Sequence, residues 1–434
     1  MKPFARKEYL TLPKPSADDP LDDRARLLRA LGPETVHMTL AAMQALYPAL
    51  RADDYRVTAT LSPAEHGWTV VRVEPGDTTA RFFALALDIG TTTLEMELLH
   101  LPDGEALSRA GCFNGQCALG DNILDRIFYA KDNAAHLHEL QTLLLGSIRS
   151  LISVCCERAA VLPEEVAVLG IGGNTTMIHL LLGCEPWQVF QSPYTPVFLD
   201  PGIVPASELA LPLCCNVFCM PAVANYLGGD ITAGLLMTDM DTRPDLAVFL
   251  DVGTNGELAL GCRDYLLTGA GAAGPALEGA VSRSGMRAEP GAVCRVRIGA
   301  DNRLRCETIG GAAPLGICGS GIVDLIAEGY LAGWISGDGT LDPDASPQIR
   351  TVWEEKSGRN VPAIVYAMSP NGPLSFTQDD IAEFVRCKAA AFTMVQTLME
   401  AAGVSLDEVG TFYLSGGFGT HLDLESAVTI GMYP

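Results

Sequence analysis

The chain has 434 residues, 48% hydrophobic and 19% charged, which suits two to three domains with sizeable cores. Its net charge of −23, from 29 basic and 52 acidic residues, excludes the basic face needed for nucleic acid or anionic lipid. No run of about 18 apolar residues marks a membrane span, and Met1-Lys2-Pro3-Phe4-Ala5-Arg6-Lys7 leads to no signal-peptide core, so a cytoplasmic protein is expected.

Residues 1–22 are Pro-rich (Pro13, Pro15, Pro20) and read as a linker. Residues 23–82 read as a small α+β middle domain. It has a short helix to Leu31 and a second helical pattern over Pro33–Leu50, with Met38, Leu40, Met43, Leu46 and Leu50 on one apolar face. Strands Tyr55–Leu61 and Trp68–Val73 complete it, and nothing in it points to catalysis.

From residue 83 the pattern changes. Leu85–Leu99 reads as strand, Asp88, a Gly90-Thr91-Thr92-Thr93 tip, then strand. Ala106–Cys117 reads as a third strand, and Gly120-Asp121 opens a helix with Ile123, Leu124, Ile127 and Phe128 inward. Leu137–Cys156 is a long amphipathic helix, followed by strand Val166–Ile171 and a break at Gly172-Gly173-Asn174-Thr175-Thr176. Phe249–Leu260 repeats the hairpin with Asp251 and the tip Gly253-Thr254-Asn255-Gly256. A helix opened by Thr377-Gln378-Asp379-Asp380, a capping-box pattern, leads to strand Gly410–Leu414 and Gly416-Gly417-Phe418-Gly419. The chain thus carries two copies of a hairpin with a later helix–strand–GG unit, which predicts two similar α/β lobes, 83–245 and 246–434, with a cleft between them.

Each tip offers a carboxylate, hydroxyls and N–H groups of a glycine turn. Such groups suit phosphate and a divalent cation, although a single D-x-G-T reads equally well as hairpin-turn chemistry. The thirteen scattered cysteines read as reduced thiols. Cys112 and Cys117 have the spacing that opens a ferredoxin loop, but Gly120 stands where the third ligand belongs, so no iron–sulfur cluster is expected in this chain. His100, His179 and His421 lack metal-ligand spacing and read as structural.

This layout resembles the superfamily of acetate and sugar kinases, Hsp70 and actin, with ribonuclease H-like lobes. More narrowly, LDIGTTT, GQCALGDNILDRI, GIGGNTTM, YLGGDITAG, FLDVGTNGELALG, GAGAAGPALEGA, GICGSGIVDLI and LSGGFG, in this order, resemble the ATP-dependent reductive activators of corrinoid proteins. KEYLTLPKPSADDPLDD resembles the linker before that family's middle domain. The chain begins after that family's usual [2Fe–2S] module and stops at Gly431-Met432-Tyr433-Pro434, soon after LSGGFG. A fragment, a split gene product and a degenerate paralogue are the readings this leaves.

The resemblance implies an ASKHA ATPase-like domain over 83–434. Asp88 and Asp251 would bind Mg²⁺ through water. Gly90, Thr91, Thr92, Thr93, Gly253, Thr254, Asn255 and Gly256 would hold the phosphates of ATP, and Gly416, Gly417 and Gly419 would line the adenosine. Gly319 and Ser320 read either as an anion site at a helix start or as a glycine loop with Ser320 as N-cap. Asp230 reads either as the residue orienting an attacking water or as the N-cap of a helix from Ile231. Glu257 reads as near the metal or as facing solvent, and Gly269–Gly279 as a partner-facing loop or as tight backbone packing. The implied partners are a corrinoid protein and a separate ferredoxin-like electron donor, with a homodimer kept as an option. The alternatives are a small-molecule kinase of the same fold and a nucleotide-binding scaffold without hydrolysis.

Overall fold

The structure, a computed structural model, describes residues 4–120, 122–252, 256–271, 281–355, 357–416 and 422–432. Its contacts separate two units, Met1–Ala233 and Gly234–Pro434.

In the first unit, local caps set the small module. Asp22 accepts the Ala25 N–H at 2.8 Å and starts α1 (Asp23–Leu31), and Thr39 accepts the Ala42 N–H at 3.2 Å and starts α2 (Leu40–Ala52). Strands β1 (Arg6–Thr11), β2 (Val36–Met38), β3 (Arg56–Ala64) and β4 (Gly67–Pro75) form a sheet in the order β1-β3-β4-β2. Two expectations are corrected. The segment read as linker supplies β1, because backbone pairing with β3 from Arg6 opposite Leu61 to Thr11 opposite Arg56 needs no apolar pattern. And the helix expected over Pro33–Leu50 begins only at Leu40, Val36–Met38 being strand β2; α2 buries Ala42, Leu46, Ala49 and Leu50, leaving Leu40 66% exposed. The cap at Thr39 fixes the phase of the helix, and its alanines allow close approach to β4.

The lobe that follows is built on β5 (Phe83–Ile89), β6 (Thr93–His100) and β7 (Glu105–Phe113), an antiparallel run, with β8 (Val166–Gly173) parallel to β5. With β9 (Ile203–Pro205) and β10 (Asn216–Cys219) the sheet order is β7-β6-β5-β8-β10-β9. Helix α3 (Ile123–Ala130) lies between β7 and α4 (Ala134–Ala159) in the chain. Alternating Leu85, Leu87, Ile89, Leu94, Met96 and Leu98 pack with Leu140, Leu144, Ile148 and Ile152 of α4 in one core. By length and composition α4 is apolar enough to cross a membrane, yet these residues of it are core. The expected third strand ends four residues early, at Phe113, because Asn114 accepts the Gln116 N–H at 3.0 Å and turns Gly115–Ala118 into a 3₁₀ turn. Helix α3 is capped by Asn122 and buries Arg126, Ile127 and Ala130, whereas Leu124 and Phe128, expected inward, are 44% and 55% exposed. Phe128 instead meets Trp187 edge-on at 5.6 Å, on α6 (Trp187–Phe190), which follows α5 (Thr175–Leu181). Asn216 of β10 donates to Pro63 O at 2.8 Å and ties the small module to this sheet. Helix α7 (Gly229–Leu236) closes the lobe, and the division between units falls inside it.

The second unit repeats the plan. Strands β11 (Leu246–Val252), β12 (Gly256–Cys262) and β13 (Tyr265–Gly271) run antiparallel, and β20 (Val409–Ser415) is parallel to β11, in the order β13-β12-β11-β20. Between them lie β14 (Ala292–Ile298), β15 (Leu304–Thr308), β16 (Gly316–Ile317), α8 (Gly319–Leu331), β17 (Ile349–Glu354), β18 (Arg359–Ser369), β19 (Gly372–Thr377) and α9 (Gln378–Ala402). Helix α10 (Leu424–Thr429) follows β20. The capping box is present: Asp380 N–H donates to Thr377 Oγ1 at 3.1 Å and Thr377 N–H to Asp380 Oδ2 at 2.8 Å. The duplication extends to detail. Helices α4 and α9 have 26 and 25 residues, and each leads through a 3₁₀ turn, Pro163–Glu165 or Leu406–Glu408. In each turn the closing glutamate accepts the N–H of the residue that precedes the turn, at 2.9 Å from Leu162 and 3.1 Å from Ser405. The duplicated α/β lobes expected from the sequence are therefore present, one in each unit.

Candidate functional site

In the first unit, Asp88 sits next to the end of β5, exposed on the face opposite the core. Glu95 of β6 stands directly across from it and Gly172 of β8 directly beside it. Residues opposite one another in an antiparallel pair share a face, so two carboxylates are held at one tip. Gly111 faces Glu95 on β7, and a Cβ there would meet the Glu95 carboxylate at 2.3 to 2.8 Å. The tip itself is a tight turn in which the Gly90 N–H donates to Thr93 O at 3.0 Å. A Cβ on Gly90 would lie 2.7 Å from that same oxygen, which is why glycine is required.

Two glycine pairs that the sequence shows apart are back to back in the structure. A Cβ on Gly228 would lie 2.4 Å from Asn174 Cα and 2.6 Å from Gly173 O, so the start of α7 rests on the backbone at the end of β8. A Cβ on Gly172 would be 3.9 Å from Asp230 Cα, which places Asp230 at the strand end that also adjoins Asp88. Asp230 is the second residue of α7 and not the cap of a helix from Ile231, and its Oδ1 accepts the Ile231 N–H at 2.8 Å.

In the second unit Asp251 occupies the matching place on β11, with Glu257 of β12 across from it and Ser415 of β20 beside it. Burial pushes its carboxyl above the usual carboxylate range, and the Ser415 hydroxyl counters by hydrogen bonding. Gly256 is buried at the start of β12. Gly416 follows β20 with φ +93°, a conformation that favours glycine. Gly253, Thr254, Asn255, Gly417, Gly419, His421 and residues 272–280 of the Gly–Ala segment lie outside the described residues. Gly319 and Ser320 form the buried first turn of α8. The cap is Cys318 rather than Ser320, whose hydroxyl donates to Cys294 O at 3.1 Å.

His100 and His179 hydrogen-bond within the protein. His100 bonds to Asp103 Oδ2 and Ala80 O, each at 2.8 Å. His179 is buried, bonded through Nδ1 to Thr175 O at 2.7 Å and through Nε2 to the Val197 N–H at 3.2 Å. Among the described residues no three His, Cys, Asp or Glu side chains form a metal-binding group by themselves.

Three residues around the first tip were missed in the sequence. Asn114 donates to Gly90 O at 3.0 Å, Arg126 to Thr91 O at 2.6 Å, and Gln116 orients Arg126 by accepting at 3.1 Å. The available signal was phase: Arg126 is four positions before the buried Ala130 and next to the buried Ile127.

Three family descriptions match successive parts of the chain: the RACo linker region over residues 1–80, the RACo middle region over 83–243, and the C-terminal domain of RACo, the ASKHA domain, over 245–434. The corrinoid activation enzyme RamQ of Eubacterium limosum is 31% identical over 364 residues, covering 81% of this chain and 60% of RamQ. The [Co(II) methylated amine-specific corrinoid protein] reductase of Methanosarcina barkeri is 26% identical over 386 residues, covering 81% of this chain and 66% of that protein. The chain therefore spans about two thirds or less of the curated relatives it matches. The solved structure of a reductive activator for corrinoid, iron-sulfur protein superposes with a TM-score of 0.87 at 36% identity, covering all of this chain and 70% of the other.

Proposed function

The chain belongs to the RACo family, and from that premise we propose that it binds ATP with Mg²⁺ and uses the binding energy to drive reduction of a corrinoid protein from Co(II) to Co(I). The electrons would come from a separate iron–sulfur protein. The observation that carries this reading is the repeated strand order, which sets Asp88 and Asp251 in equivalent positions, each beside the glycine-bearing end of a parallel strand. The relatives' names support the corrinoid protein as partner.

The first tip fits the proposed ligands by its donor set. Carboxylate oxygens of Asp88 and Glu95, threonine hydroxyls and turn N–H groups suit a hydrated Mg²⁺ carried on a phosphate chain, which commonly takes one or two protein carboxylates. When bound, Mg²⁺ would neutralise phosphate charge. The chain's own part would be to position: Asp88 would orient the ion's waters, the tip N–H groups would hold phosphate oxygens, and Asp230 would orient a water. Phosphoryl chemistry needs little beyond such positioning and charge neutralisation.

Asp88→Ala tests the reading. Asp88 is exposed, so the variant should fold with an unchanged circular dichroism spectrum, and Mg²⁺-dependent ATP hydrolysis should fall to background. Hydrolysis at the wild-type rate would reject the phosphate site.

A further inference from the structure

Three carbonyls of the first tip, those of Gly90, Thr91 and Thr92, point into the protein. Gly90 O accepts Asn114 Nδ2 at 3.0 Å, Thr91 O accepts Arg126 Nη2 at 2.6 Å, and Thr92 O accepts the Asn114 backbone N–H at 2.8 Å. A trans peptide directs its N–H opposite to its C=O. The N–H groups of Thr91, Thr92 and Thr93 are therefore turned away from Asn114 and Arg126. Successive N–H groups presented on one side form an anion-binding concavity.

Arg126 is rigidly placed. Its side chain is fully buried, with Nε donating to Gly120 O at 3.0 Å and Nη1 to Gln116 Oε1 at 3.1 Å. Gln116 is in turn fixed by donating to Leu140 O of α4 at 3.0 Å. Burying a guanidinium costs several kcal/mol, a cost that a neutral donor to one carbonyl would avoid. What the charge adds is a charge-assisted bond to Thr91 O, which polarises that peptide and strengthens its Thr92 N–H as a donor on the far side.

We propose that Arg126 is a positioning residue for phosphate. With Asn114 it locks the tip so that its N–H groups face a nucleoside triphosphate, without touching the anion itself. The inference rests on the nucleotide reading above, and deepens it by assigning the part of GQCALGDNILDRI that serves the tip.

Calorimetric titration with MgATP and with AMP, on wild type, Arg126→Lys, Arg126→Gln and Asn114→Asp, tests it. The last variant keeps the oxygen that caps the 3₁₀ turn and puts a carboxylate oxygen in place of the Nδ2 that donates to Gly90 O and Met177 Sδ. MgATP affinity should fall on the order of 10- to 100-fold in Arg126→Gln and Asn114→Asp, the loss of one bond to a charged group. AMP affinity should change little, and Arg126→Lys should recover part of the loss. A general loss of packing would weaken both ligands alike and would overturn the proposal. So would MgATP binding at wild-type affinity in the variants. Should Arg126→Gln not fold, Asn114→Asp decides alone. Failure of the wild type to bind MgATP would overturn the nucleotide reading itself, a result distinct from either of these.

Discussion

His179 is built to stay neutral. It is fully buried, its ring stacks on Phe198 at 4.1 Å, and its nitrogens are committed to one acceptor, Thr175 O, and one donor, the Val197 N–H. Burial holds its pKa below the ordinary 6.5. In the window between the lowered folded value and 6.5 the unfolded chain binds more protons, so stability rises with pH there and is lost as pH falls below 6.5. Urea unfolding at about pH 5 and about pH 7.5 should therefore show a lower midpoint in acid. His179→Gln should flatten that difference; an equal acid loss in the variant would mean that other groups carry it. Asp251 is the opposite case, a carboxyl raised by burial, so its ionisation opposes folding as pH rises through the raised value. That His179 is structural was legible, since it has no ligand spacing. Arg126 was not, because a charge inside an amphipathic pattern is assigned to solvent, and only the tertiary fold shows three carbonyl groups waiting for donors.

The elements around the tip are held at distances that only glycine allows, and the glycines are not equivalent. A Cβ on Gly228 would meet backbone atoms of Asn174, Gly173 and Thr175 at 2.4 to 2.7 Å, and none of these can move without shifting β8 against α7. Gly228→Ala should cost about 1–3 kcal/mol, as overpacking does. Gly111→Ala would meet only the end of the Glu95 side chain, which can swing away, and should cost about 0.5 kcal/mol or less. Thermal melts of the two variants check the contrast, and similar losses would mean that the α7–β8 contact is softer than its distances imply. Both hairpins, the long helices and their repetition were legible because strand and helix periods and paired glycines are local signals. Strand register was not. Asp88 pairs beside the first glycine of its GG pair, whereas Asp251 pairs one place earlier, with Ser415. Nor was β1, whose pairing depends on backbone groups.

At the scale of the whole chain, the proposed function is a coupling between two binding events, and coupling is reciprocal. Reduction of Co(II) to Co(I) is uphill from ordinary donors, so something must bind the reduction-competent state more tightly. If MgATP does so, each tenfold difference in its affinity between the states offsets about 59 mV for one electron. The net charge of −23 opposes long-range attraction to any partner that is itself acidic, and for such a partner places the burden on local contacts and on that affinity difference. Linkage then sets a quantitative test that does not depend on which residues touch the partner. With a corrinoid protein and an excess of external reductant, the equilibrium Co(I) fraction, read from the visible spectrum, should rise when MgATP is added. The factor by which MgATP shifts that equilibrium must equal the factor by which reduction of the corrinoid partner tightens MgATP binding to the chain. Measuring both closes the cycle. A rise in Co(I) with no matching change in nucleotide affinity would show that hydrolysis, and not binding, supplies the free energy; no rise in Co(I) at all would remove the corrinoid protein tested as the partner.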